Sequence, residues 1–219
     1  MNQATFIQQL LIWIIPLLFA ITLHEVAHGF VAAMLGDPTA KMLGRLTINP
    51  FKHIDPIGTV LVPLTLLLLG GFVFGWAKPV PITYENFKHR YRDMALVAVA
   101  GPLANLLMAI AWAICAKLTL MTSGTDSLTG VPLALIYMGQ VGVLLNVSLF
   151  VLNLLPIPPL DGGRVLSYLL PKKWSWQLSK LEPYGFIILL LLLATGLLLQ
   201  IVGPIVYLIR GILMNLFGI

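Results

Sequence analysis

The chain has 219 residues, 59% of them hydrophobic and only 10% charged, with a mean hydropathy of +0.96. Soluble domains carry about a quarter charged residues, so this composition excludes a soluble globular protein and predicts a polytopic membrane protein. The net charge of +5 does not indicate nucleic-acid binding, because the basic residues are spread over loops beside apolar spans and read as topology signals.

The first apolar stretch runs from Phe6 to Leu35 and contains His24-Glu25-Val26-Ala27-His28. It lacks a basic leading region, so it reads as a membrane segment and not as a cleavable signal peptide. An ionisable group at the centre of a membrane helix costs about 2.5–3.5 kcal/mol on insertion scales, so such residues default to a functional reading. On a helix, residues four apart stack on one face, so His24 and His28 can aim imidazole nitrogens at one metal ion. Glu25 stands where an H-E-x-x-H zinc hydrolase keeps its general base.

Gly36–Pro56 follows, and Arg45 to Ile48 alternates polar and apolar residues between Gly44 and Pro50, the pattern of a short strand. Further spans are predicted at Ile57–Phe74, Met94–Met121, Leu133–Leu155 and Tyr184–Phe217, the last long enough to be broken or tilted at Gly196, Gly203 or Pro204. Gly75 to Ile82 is not helical on this reading, because Pro79 and Pro81 favour extended backbone. Gly101-Pro102 reads as a helix opening, with Asn105 hydrogen-bonding between helices near the site. Pro156 to Leu160 forms a second extended stretch, which implies an internal cavity at membrane depth. The single cysteine, Cys115, lies in an apolar run and excludes a disulfide framework.

Basic loops at Lys41–Lys52, Lys78–Arg92 and Lys172–Lys180 are placed inside by their charge, and Thr122–Val131 outside. Two successive basic loops cannot both be cytoplasmic if Ile57–Phe74 crosses once, so that segment is either re-entrant or flanked by a loop that dips into the membrane or lies outside.

Two histidines leave zinc short of the three protein ligands a catalytic site uses. His53 and His89 sit in basic loops, and Asp37, Asp55, Asp93, Asp126, Glu85 and Glu182 read as loop or helix-end residues. Asp161 differs, because it follows the proline-rich break and precedes Gly162-Gly163, where the backbone can turn sharply and aim the carboxylate inward. The alternative is an aspartate capping a helix that begins near Arg164. Asn153, an amide at the end of an apolar span, fits an oxyanion donor or a helix-end cap.

His24–His28, Ala100-Gly101-Pro102-Leu103-Ala104-Asn105 and Asn153-Leu154-Leu155-Pro156 with Leu160-Asp161-Gly162-Gly163 occur in an order that resembles the site-2 protease family of intramembrane zinc metalloproteases. Gly75–Ile82 is similar to a loop of its short members. The resemblance implies an all-α polytopic membrane fold of about five to six segments with short extended or re-entrant elements. Residues 1–219 would form a single domain, with a catalytic core of about 6–170 and an accessory segment at about 184–217. It also implies that His24, His28 and Asp161 hold one catalytic Zn2+, that Glu25 activates the zinc-bound water, and that Asn153, and more remotely Asn105, meet substrate. The expected substrates are transmembrane proteins or peptides in the bilayer of a prokaryotic cell membrane, with a homo-oligomer or membrane regulator as further partners.

No PDZ or CBS module is evident, which leaves substrate selection to the membrane core, a partner or prior cleavage. Arg45–Ile48 or Lys78–Ile82 would pair with an unwound substrate by strand addition; normal cleavage by a folded Leu46→Pro variant would count against the first. Two other functions remain open: a divalent-metal transporter and a proteolytically silent scaffold.

Overall fold

Hydrocarbon offers backbone N–H and C=O groups no water, so an apolar run of membrane length must satisfy them internally as a helix. The computed structural model describes residues 6–62, 65, 78–123 and 129–219, and no strand occurs among them. The helices are α1 (Phe6–Met34), the single turn α2 (Thr39–Met42), α3 (Arg90–Ser123), α4 (Gly130–Asn153), α5 (Asp161–Leu169), α6 (Lys172–Ser179), α7 (Gly185–Ala194) and α8 (Leu197–Phe217). Five stretches of the described residues are long and apolar enough to cross a bilayer: Ile7–Met34, Arg90–Ser123, Gly130–Asn153, Lys172–Ala194 and Leu197–Phe217. The protein is an integral multi-pass membrane protein.

The long C-terminal stretch breaks at Gly196, one of the three expected positions, whose φ of +74° separates α7 from α8. Other local expectations need correction. Gly203 and Pro204 stay inside α8, because a membrane helix tolerates one missing N–H where neighbours compensate. Gly101-Pro102 does not open a helix but lies inside the 34-residue α3. Arg45–Ile48 is irregular, with no partner strand among the described residues; its arginine donates from Nη2 to Lys78 O at 3.0 Å. Pro156–Leu160 is a compact turn, closed by Ile157 N–H to Leu155 O (2.8 Å) and Leu160 N–H to Ile157 O (2.9 Å). Most of Ile57–Phe74, residues 75–77 of the proline-rich loop, and 124–128 with Asp126 lie outside the described residues.

Small side chains set the close approach of the helices. Ala109 and Ala113 of α3, Val143, Val147 and Val151 of α4, and Leu198, Val202 and Val206 of α8 form one buried cluster. A Cβ at Gly139 of α4 would lie 2.6 Å from Ala116 Cβ, and one at Gly142 would overlap the Trp112 ring. Such small residues let membrane helices gain dispersion contact where no hydrophobic force acts between them.

The connections after α1 are organised by Asp37, a loop residue by its sequence that is nonetheless fully buried. Its carboxylate accepts from Thr83 N–H (2.7 Å), Asn86 Nδ2 (2.7 Å), Thr39 N–H (3.1 Å) and the Thr39 hydroxyl. Burial opposes its charge, but these four donors outweigh burial and hold the carboxyl below its ordinary pKa. At the other end of the same segment, Lys78 N–H donates to His53 O at 2.9 Å. Lys78–Thr83 is therefore pinned at both ends across α1.

Candidate metal centre

His24 and His28 stand one turn apart on α1, as their spacing requires, and both face α3. Gly101 of α3 leaves room for them: a Cβ there would overlap both imidazole rings. The third group comes from α5, whose first residue is Asp161.

The helix starts at Asp161 itself, so the carboxylate is not a cap for a helix beginning near Arg164. Gly162 and Gly163 lie within the helix and do not adopt positive φ. Their absent side chains serve packing instead. A Cβ on Gly162 would meet the carbonyls of Leu154 and Leu155, and one on Gly163 would sit 2.6 Å from Pro158 N. The proline-rich turn thus lies directly under the start of α5 and pushes Asp161 toward α1.

The three ligand atoms form a small buried triangle. His24 Nε2 lies 3.0 Å from His28 Nε2, and Asp161 Oδ2 lies 3.3 Å from each. Four ligands about 2.0–2.1 Å from a tetrahedral zinc ion stand about 3.3–3.4 Å apart, so the triangle matches one face of such a site.

Ring protons are fixed by the partners of the other nitrogens. His28 Nδ1 lies 2.7 Å from Val97 O, an acceptor only, so Nδ1 carries the proton. His24 Nδ1 lies 2.6 Å from Asn105 Oδ1. That amide cannot be flipped, because its Nδ2 donates to Ala20 O (3.2 Å) and to Asn146 Oδ1 (3.0 Å). Asn146 is fixed in turn by donating to Gly142 O at 2.8 Å.

With Nδ1 as the protonated nitrogen, each neutral ring presents its Nε2 lone pair toward the other and toward Asp161 Oδ2, which is buried and accepts no hydrogen bond. These three atoms, less than a tenth exposed and within 3.3 Å of one another, could hold one metal ion. The donor set of two imidazoles and a carboxylate fits zinc, and Asn105, Asn146 and Val97 O are the outer partners that orient such ligands.

Glu25, next to His24, accepts Val80 N–H at Oε2 over 2.8 Å, so the pinned Lys78–Thr83 segment reaches the site through its backbone. Asn153 ends α4 and donates from Nδ2 to Leu149 O at 3.0 Å. Asn105 is fully buried, with its amide engaged by His24, Ala20 and Asn146, and it has no face open to a substrate. A cavity of about 140 Å3 borders the turn, lined by Tyr84, Tyr91, Pro158, Leu160 and Arg164. The sequence reading missed Asn146, Val97 O and Val80 N–H. An asparagine inside an apolar span was the available signal for Asn146; backbone groups carry none.

Residues 121–193 match Peptidase family M50, a stretch that includes Asn153 and Asp161. "Putative zinc metalloprotease YwhC" of Bacillus subtilis (strain 168) is 39% identical over 206 residues, covering 94% of this chain and 90% of that protein. "Putative zinc metalloprotease Rip2" of Mycolicibacterium smegmatis is 31% identical over 180 residues, 81% of this chain and 64% of its own length. The Rip2 protein of Mycobacterium tuberculosis (strain H37Rv) is 30% identical over 176 residues, 80% of this chain and 63% of its own. No solved structure gives a significant match. These relatives are bacterial, in keeping with a prokaryotic membrane protein, and their extent settles the assignment: the chain belongs to the site-2 protease family of zinc metalloproteases, peptidase family M50.

Proposed function

We propose that the protein hydrolyses peptide bonds of membrane-spanning substrates, with His24, His28 and Asp161 holding one zinc ion and Glu25 as general base. The observation that carries this reading is the buried triangle of Nε2, Nε2 and Oδ2 atoms, set in a membrane-length helix beside a glutamate. Zinc, when bound, supplies a Lewis acid that brings the pKa of coordinated water towards about 7 and polarises a carbonyl.

Glu25 does the proton work. Val80 N–H holds Oε2 and leaves Oε1 to take a proton from the attacking water, which Glu25 then delivers to the leaving amine. Asn153 has one amide hydrogen engaged by Leu149 O, and its second is assigned to the substrate backbone or the developing oxyanion. Asn105 and Asn146 are positioning residues that hold His24 with its lone pair on Nε2. Asn105 is thus reassigned from substrate contact to ligand orientation.

The test is cleavage of a panel of single-span substrates in proteoliposomes, with wild type beside Glu25→Gln and zinc quantified in both. Wild type is expected to cut and the zinc-loaded, folded Glu25→Gln variant not to. Equal cleavage by both would remove Glu25 as base. Zinc retention without cleavage in either, joined to zinc flux across the liposome membrane, would favour transport.

A further inference from the structure

A second polar cluster lies within the membrane bundle, far from the metal centre. Arg210 of α8, Tyr137 and Gln140 of α4, and Trp13 of α1 line one cavity of about 170 Å3. Gln9 borders it too, and at 1.5 Å per residue lies about 22 Å along α1 from His24. The cavity therefore belongs to the opposite end of the bundle.

Polar side chains in membrane helices normally pair with one another. Here Tyr137, Gln140 and Arg210 form no hydrogen bond or ion pair among the described residues, and Arg210 Nε is buried without a partner. Arg210 is the sole formally charged residue of α8, and α4 has none. Glu25 is the one carboxylate on α1, and it is held by Val80 at the far end of that helix. The three helices around the cavity thus carry a guanidinium and no acid within reach of it.

We propose that this cavity binds the phosphate group of an anionic phospholipid. Arg210 supplies the charge and a planar fork of donors suited to phosphate oxygens, and the Gln140 amide and Tyr137 hydroxyl complete the donor set. Apart from Gln9 the remaining wall is apolar, formed by Ile12, Trp13, Val141 and Leu144, and Trp13 is 45% exposed. An acyl chain covers such a wall, whereas a free phosphate ion leaves it bare.

The full chain is purified in detergent and titrated separately with dioleoylphosphatidylglycerol, dioleoylphosphatidylcholine and inorganic phosphate. Bound lipid is counted by native mass spectrometry and the unfolding midpoint is followed. One phosphatidylglycerol per chain is expected, retained at least about tenfold more tightly than phosphatidylcholine and raising the midpoint, with no shift from inorganic phosphate. Arg210→Gln is expected to weaken retention about tenfold or more and Arg210→Lys less, with zinc content unchanged in both. Equal retention of the two lipids, or wild-type retention by folded Arg210→Gln, overturns the proposal. An equal shift from inorganic phosphate overturns it in favour of a free-anion site. Should Arg210→Gln not fold, the wild-type lipid comparison and Gln140→Leu decide, the latter expected to lose retention while keeping its fold.

Discussion

Replacing Asn105 with leucine tests whether His24 is a ligand oriented from outside. Leucine keeps the branched shape and heavy-atom count of asparagine, so no cavity opens, but its methyls are bulkier than the amide, and zinc affinity of the folded protein separates the polar loss from overpacking. The substitution removes the acceptor 2.6 Å from His24 Nδ1 and the donor 3.0 Å from Asn146 Oδ1, both fully inside the bundle. A buried polar group left without its partner costs about 1–3 kcal/mol. His24 can avoid that cost by moving its proton to Nε2, which points at the metal position and abolishes coordination. Outer partners of metal-bound histidines are worth about 10–100-fold in affinity or activity, or about 1.4–2.7 kcal/mol, the same range by an independent route. Zinc affinity, measured by competition with a chelator, is therefore expected to fall about 10–100-fold. Excess zinc should restore much of the cleavage, because all three ligands remain. Asn146→Leu should have a smaller effect, since Ala20 O still holds the Asn105 amide. A folded Asn105→Leu protein whose zinc affinity stays within about threefold of wild type would refute the orienting role, because it falls short of even the lower bound.

Val80→Pro removes the N–H on Glu25 from a segment already extended by Pro79 and Pro81, and cleavage should fall at least about tenfold, the loss expected for a hydrogen bond to a charged group. Val80→Ala keeps the donor and should retain more activity; equal loss in both would assign the effect to packing. Gly101→Ala places a Cβ into both imidazole rings, so zinc content should fall together with about 1–3 kcal/mol of stability; wild-type zinc loading would mean that α3 can move aside. Asp37 has a folded pKa below its unfolded value near 3.9, so its stabilisation is complete above that pH and is lost as pH falls through the folded pKa. Between pH 6 and 3 the unfolding midpoint of wild type should therefore drop more steeply than that of Asp37→Asn, and parallel curves would remove Asp37 from the acid response.

The parts legible in the sequence are those where a side-chain type and a helical period coincide. His24, Glu25 and His28 could be placed on one turn because their spacing is local, and the apolar runs Phe6–Leu35, Met94–Met121 and Leu133–Leu155 marked α1, α3 and α4 to within a few residues. Asp161 was legible as an inward carboxylate, but the stated cause was a sharp glycine turn. The actual cause is close packing of Gly162 and Gly163 on the Leu154–Pro158 turn, a contact between backbones that composition does not encode. Val80 acts on Glu25 through its N–H and Val97 on His28 through its C=O, so the identities of those residues gave no sign of it. Asp37 looked like any loop acid until Thr39, Thr83 and Asn86 were brought around it by the fold.

The asparagine chain explains how a polar site persists in an apolar bundle without loosening it. Its direction is fixed at the far end by Gly142 O, which accepts from Asn146 because a carbonyl cannot donate. Each later member is then forced: Asn146 offers Oδ1, Asn105 answers with Nδ2 and turns Oδ1 to His24, and His24 is left with a lone pair on Nε2. Every amide so placed is partnered inside the bundle, which removes the usual penalty for buried polar groups. The same bonds tie α4 to α3 and α3 to α1. The glycines that bring α4 onto Trp112 and Ala116 therefore also set the reach of Asn146 toward Asn105. Helix packing and the orientation of His24 are one structural property here, so the geometry of the candidate site depends on contacts well outside its three candidate ligands.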